Sequence, residues 1–227
     1  MLILLAFPKG GMAQSEVEEL KQVFQAIQKE KPQYLQLTYR WFESHTSTQS
    51  VDEVAGEWYQ NEHLTYSKMA HLISIMEGPY LLTVDQENQL IQLATAPESV
   101  SQTPLMLAGN LDSVLSAYEW IQVDRSNPKM HQYQLGLAQG MYEQADLFIE
   151  PNTKEVKKLV LYFAQPPWNT TKLATATPRV EITFESLPMP ARVQQEFHTQ
   201  HYLTGKMDQA QLRPAFQTYQ FYNHIQP

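Results

Sequence analysis

Apolar residues recur along this chain with two different periods, and the switches between them divide it into segments. From Ser15 the spacing is helical: Val17, Leu20, Val23, Phe24 and Ile27 fall on one stripe at the 3.6-residue period. Ser15-Glu-Val-Glu18 is a capping box that starts this helix, and Lys31-Pro32 stops it because proline cannot continue the hydrogen-bond ladder. At Gln33 the period changes to two. Leu35, Leu37, Tyr39 and Trp41 alternate with Gln36, Thr38 and Arg40 as far as Glu43, which predicts a first strand with Arg40 on its solvated face. The polar run His45 to Asp52 predicts a hairpin loop.

Between Val54 and Ala96 the chain reads as about four successive strands, one of them carried by Tyr80, Leu82 and Val84, with turns at Gly78-Pro79 and Asp85 to Asn88. Bulky residues fall on both faces here: Trp58 against Tyr59, and Leu64 and Tyr66 against Met69 and His71. Such a sheet is covered on both sides or holds something. Pro97 to Pro104 is a linker, and Leu107, Leu111, Val114, Leu115 and Tyr118 predict a second amphipathic helix. From Trp120 the chain returns to strands, over Met130–Ala138, Met141–Glu150, Val156–Ala164 and Arg179–Leu187, separated by Gly140, by Glu150-Pro-Asn-Thr153 and by a loop from Pro166 to Pro178. Beyond Pro188 the sequence is rich in Gln, His and aromatics. Phe197 to Leu203 and Phe216 to Ile225 are candidate strands that would cover a sheet edge. The total is nine or ten strands and two helices in one domain with a tail.

Composition narrows the function classes. At 227 residues and 43% apolar, the chain suffices for one substantial core. A formal charge of -8 leaves no basic surface to neutralise phosphates, so nucleic acid is not an expected partner. The absence of cysteine excludes disulfides, thiolate catalysis and thiolate metal sites. At the N-terminus an apolar run, Met1 to Phe7, precedes Pro8, Gly10, Gly11 and the small-x-small triplet Gly11-Met12-Ala13. This pattern predicts a signal peptide over residues 1–13, although no basic residue precedes the run; a buried N-terminal strand is the alternative. No later stretch approaches the roughly 20 apolar residues of a membrane span. The expectation is an exported periplasmic protein without a transmembrane segment.

Chemistry-bearing motifs are missing: there is no G-x-S-x-G elbow, phosphate loop, dinucleotide fingerprint or H-E-x-x-H. No enzyme activity and no cofactor is expected. His198 and His201, with His224 further on, would share a helix face as metal ligands, but in a Gln-rich tail they read as surface histidines, and no metal is expected. Asp85, Asp112 and Asp146 have no acid–base spacing and read as solvated.

The order of elements, together with G-x-W-Y at Gly56 to Tyr59, the hairpin L-F-I-E-P-N-T-K-E-V-K-K-L-V-L-Y at Leu147 to Tyr162 and the I-T-F strand at Ile182 to Phe184, resembles the LolA-like family of periplasmic lipoprotein carriers and their relatives. The resemblance covers Ser15 to Leu187. It implies an α+β fold, an unclosed half β-barrel of about ten antiparallel strands with two or three helices covering the concave face, over residues 14–187, followed by a C-terminal extension over 188–227. In the carriers the apolar concavity receives lipoprotein acyl chains, and an arginine shortly after the G-x-x-W strand bonds to the helical lid. Here that position reads Gln60-Asn61-Glu62-His63, so the latch does not carry over. The expected ligand is a lipid or lipoprotein acyl chain, held by Trp41, Trp58, Tyr66, Leu82 and Val84 on one face of the meander with Leu111 and Leu115 as lid. The alternative is a non-enzymatic interaction module of a cell-envelope assembly, its concavity filled by its own side chains and its tail docking a protein partner.

Overall fold

Helix α1 runs over Gln14–Lys29, where the apolar stripe predicts it, and Leu20, Val23 and Phe24 of that stripe are buried. The computed structural model describes residues 14–29, 33–96, 118–137, 140–165 and 177–225. The predicted signal peptide, the linker from Pro97 and the lid residues Leu111 and Leu115 lie outside the described residues.

Eleven strands follow α1: β1 (Gln33–Phe42), β2 (Asp52–Gln60), β3 (Leu64–Met69), β4 (Leu72–Glu77), β5 (Tyr80–Asp85), β6 (Leu90–Thr95), β7 (Tyr118–Asp124), β8 (His131–Leu137), β9 (Tyr142–Ile149), β10 (Val156–Phe163) and β11 (Arg179–Ser186). A C-terminal segment then supplies the four-residue helix α2 (Val193–Glu196), the two-residue strands β12 (Leu203–Thr204) and β13 (Gln211–Leu212), and β14 (Gln220–Asn223). Twelve strands are hydrogen-bonded in the order β14-β6-β5-β4-β3-β2-β1-β11-β10-β9-β8-β7, and β12 pairs with β13 apart from them.

Several expectations need correction. Fourteen strands stand among the described residues instead of about ten, and five rather than four fill the meander. Tyr118 opens β7, paired with Leu137, and does not close a helix. The described helices are α1, the single turn α2 and three 3-10 turns, and the stretch from Leu107 to Leu115 expected as a second helix lies outside the described residues. The tail also departs from its reading. Phe197 to Tyr202 is no strand, because its buried residues Phe197, Thr199 and Tyr202 follow neither period and one 3-10 turn spans Thr199–His201; only Leu203 of the candidate is extended, opening β12. The second candidate does cover a sheet edge: β14 pairs with β6, but in parallel, Phe221 opposite Ile91.

The described residues fall into two compact units. The first comprises residues 14–29, 41–51, 118–137, 140–165 and 177–182. Glu19 of α1 bonds to Arg125 and Tyr133, which sets the helix on the face carrying Tyr133, Leu135, Leu147 and Leu159. Asp146 lies on the opposite face of β9 and is 2% exposed, against the expectation of a solvated carboxylate. It accepts hydrogen bonds from Gln132 (2.9 Å), Gln144 (2.6 Å) and the Tyr162 hydroxyl (3.1 Å), three neutral donors that replace its water. The second unit comprises residues 33–40, 52–96 and 183–225: the meander β2 to β6, strand β14 and the C-terminal segment.

Candidate functional site

The meander of the second unit owes its two faces to register. Tyr59 stands opposite Tyr66, Tyr66 opposite Ile75, Ile75 opposite Leu82, and Leu82 opposite Leu93, so these five side chains form one row across five strands. A second row on the same face runs through Ile73, Val84, Ile91 and Phe221. All five residues of the first row, and all but Phe221 of the second, are buried. Their cover is the C-terminal segment, which contributes Val193, Phe197, Tyr202, Leu203 and Ala210 to the same core. Phe197 is its centre. Its ring stacks on Tyr66 at 3.7 Å between centroids and 3° between planes, with Tyr59 5.7 Å and Tyr34 6.3 Å away. Full burial of each such side chain contributes roughly 1.5–3 kcal/mol. Aromatic pairing adds about 0.5–1.5 kcal/mol. Alternation in β2 to β6 therefore makes an apolar floor, and the irregular segment closes it.

Two carboxylates of the sheet fasten this cover. Glu57, between Gly56 and Trp58, accepts hydrogen bonds from Arg192 and from the Tyr34 hydroxyl (2.9 Å). Glu77, at the end of β4, holds His198 Nδ1 at 2.8 Å with Oε1, while Oε2 accepts from the Thr199 amide (3.0 Å) and hydroxyl (2.6 Å). Burial disfavours the charge on Glu77, and the bonds from Thr199 and His198 outweigh it, holding the carboxyl below its ordinary range. Burial, then the Glu57 charge, pushes the Tyr66 hydroxyl up. Burial alone does most of the same for Tyr202, to about 12. An arginine does link sheet to cover, but it comes from the cover and meets a glutamate of the sheet. His198 is thus a partner of Glu77 rather than a surface histidine, and His201 packs its ring edge on Tyr202 and Phe216. Among the described residues no group of three potential ligands is placed to hold a metal ion.

The reverse face of the meander has different chemistry. Trp58 stands opposite Ser67, and that row continues through Ser74, Thr83 and Gln92. Beside it run Thr65, Met76, Leu81 and Ala94, of which the last three are half-buried. At its far side Met69 and Leu72 face each other 44% and 43% exposed. Gly56 is fixed on this face because a Cβ there would lie 2.8 Å from the Lys68 carbonyl oxygen.

The five meander residues expected to share one face therefore do not. Tyr66, Leu82 and Val84 share the face closed by Phe197, whereas Trp58, 2% exposed, points to the reverse face, since Tyr59 and not Trp58 pairs with Tyr66. Trp41 belongs to the first unit, where it is half-buried and stacks on Phe163 at 5.6 Å. The sequence reading makes no use of Arg192, Glu57 or Glu77, puts Phe197 in a candidate strand and takes His198 for a surface histidine. A signal existed for Glu57 alone, a charge on the apolar phase of β2.

No protein-family model and no curated protein matches the chain. Solved structures similar to it include a conserved protein of Thermus thermophilus described as uncharacterized, 9% identical with a TM-score of 0.44 over 80% of this chain and 92% of that one. A LolA superfamily protein of Nitrosomonas europaea is 10% identical with a TM-score of 0.33 over 85% of this chain and 100% of the other. A DUF1329 family protein of Desulfovibrio piger is 10% identical with a TM-score of 0.35 over 84% and 99%.

Proposed function

We propose that this chain, a divergent LolA-like protein, is a non-enzymatic periplasmic binding protein that holds a lipid or lipoprotein acyl chain on the Trp58 face of β2 to β6. One observation carries the reading. The chain's own C-terminal segment takes up the Tyr66 face, while the Trp58 face keeps a half-buried apolar row, Met76, Leu81 and Ala94, with the exposed pair Met69 and Leu72 on the far side of the polar row Ser67, Ser74, Thr83 and Gln92. Adjacent strands lie about 4.8 Å apart, so an extended hydrocarbon laid across β3 to β6 meets one side chain of the row per strand. Each methylene removed from water contributes about 0.8 kcal/mol. Among the described residues no helix is long and apolar enough to cross a membrane. The filled Tyr66 face supports a second reading, an interaction module of an envelope assembly that holds no small ligand.

Native mass spectrometry of the chain purified from a periplasmic fraction tests the proposal, followed by titration of the delipidated protein with a fluorescent long-chain fatty acid. Acyl species co-purify under the carrier reading. Leu81→Glu, at a half-buried position whose folding is checked by circular dichroism, weakens the probe by about tenfold, the effect of about 1.4 kcal/mol. Absence of any acyl species, together with probe binding that Leu81→Glu leaves unchanged, overturns the carrier reading in favour of the second.

A further inference from the structure

On the first unit, the sheet face opposite α1 carries an arrangement that acyl binding does not use. Register places Trp120 opposite Gly136 and Gly136 opposite Gln144, which in turn stands opposite Tyr162. The adjacent row runs Gln122, Gln134, Asp146, Val160. Trp120 is 39% exposed although its indole lies on the sheet: a Cβ at Gly136 would meet Nε1, Cε2 and Cδ1 of the ring at 2.0, 2.2 and 2.7 Å. Only glycine allows that posture. A glycine inside a strand weakens the sheet, so flattening the ring has a cost.

Beside this ring the amides are held in two ways. Gln132 and Gln144 give their NH2 groups to the buried Asp146, which fixes both side chains and turns their carbonyl oxygens away from the carboxylate. Gln122 and Gln134 make no side-chain hydrogen bond among the described residues, and Gln134 is half-buried. Charge is scarce on these two rows, since Asp146 is enclosed by three donors. Gln132 shares the row beyond these with Asp124, Phe148 and Lys158, and Lys158 lies over the Phe148 ring at 4.1 Å.

We infer that this face is a binding platform for a neutral oligosaccharide. A pyranose presents an apolar C–H face that stacks on an exposed indole, and a ring of hydroxyls that both donate and accept. A carboxamide also does both, so Gln side chains beside a flat aromatic ring complement such a ligand, whereas an anion or cation would find only the enclosed Asp146 on the two rows nearest the ring. Shielding of Gly136 by Trp120 accounts for the ring's position. It does not account for Gln144 on the ring's own row and Gln122 and Gln134 on the next, beside an exposed ring.

The test uses the full chain and hexasaccharides of β-1,4-linked glucose and of β-1,4-linked N-acetylglucosamine, by calorimetry and saturation-transfer NMR. At least one is expected to bind. Trp120→Ala then lowers affinity by about tenfold. Gln134→Leu lowers it by about threefold and decides the matter if Trp120→Ala fails to fold. Leu81→Glu leaves sugar binding unchanged, which separates this site from the acyl site. The inference is overturned if neither sugar binds at millimolar concentration, if folded variants bind like the parent, or if an unstructured neutral peptide binds as tightly as the sugars.

Discussion

The two units close their apolar sheet faces by different means. In the first, a regular helix lays Leu20, Val23 and Phe24 over strands, and Glu19 ties it down through Arg125 and Tyr133. In the second, a segment of short turns lays Val193, Phe197, Tyr202 and Leu203 over strands, and Arg192, His198 and Thr199 tie it to Glu57 and Glu77. A helix satisfies its own backbone and needs few anchors. The irregular cover relies on side-chain bonds to the sheet and on one central ring, so its stability is concentrated in fewer residues.

That contrast can be broken most forcefully at Phe197. Phe197→Ala removes the ring stacked on Tyr66 and tilted against Tyr59 and is expected to cost about 3–5 kcal/mol in urea unfolding. If the cover is the more concentrated of the two, Leu20→Ala in α1 costs less; an equal or larger loss would erase the distinction.

How much of this was legible in the sequence follows from the range of each interaction. The strands were, because alternation is local: β8 to β11 fall within a residue or two of their predicted bounds. Burial of Tyr66, Leu82 and Val84 was legible for the same reason. That Trp58 faces away from them was not. Parity counted along one strand is lost across the turn at Asn61 to His63, and the pairing of Tyr59 with Tyr66 sets the face. The cover was illegible because Phe197, Tyr202 and Leu203 follow no period, and because Glu77 lies 121 residues from His198. Asp146 hid likewise, its donors Gln132 and Tyr162 being on neighbouring strands 14 and 16 residues away.

The next largest effect lies in the first unit. Asp146→Leu strips Gln132, Gln144 and Tyr162 of their shared acceptor and is expected to cost about 1–3 kcal/mol by thermal or urea unfolding. Gly136→Ala forces the Trp120 indole off the sheet at a cost toward the lower end of about 1–3 kcal/mol, with a shift in tryptophan fluorescence. An unchanged emission spectrum would mean that the ring does not rest on Gly136 in solution.

The smallest expected effect is the pH dependence of the cover. Glu77 titrates below its ordinary range in the folded chain, so its contribution is complete above the unfolded value and is lost as pH falls through the lower, folded one. Urea midpoints should therefore decline into the acid range more gently for Glu77→Gln than for the parent. Because Glu77 is partly exposed, solvent screening keeps the difference well below the Phe197 effect. Parallel curves would show that Glu77 does not fasten the cover.

The separation of floor and cover along the chain also has a consequence in time. Strands β2 to β6 are complete at Thr95, and the residues that close their apolar face begin at Val193. At roughly 5–20 residues per second, synthesis of the intervening hundred or so residues takes on the order of 5–20 s. During that interval Tyr66, Ile75, Leu82 and Leu93 form a continuous greasy row on a nascent chain whose Val193, Phe197, Tyr202 and Leu203 are still to be made.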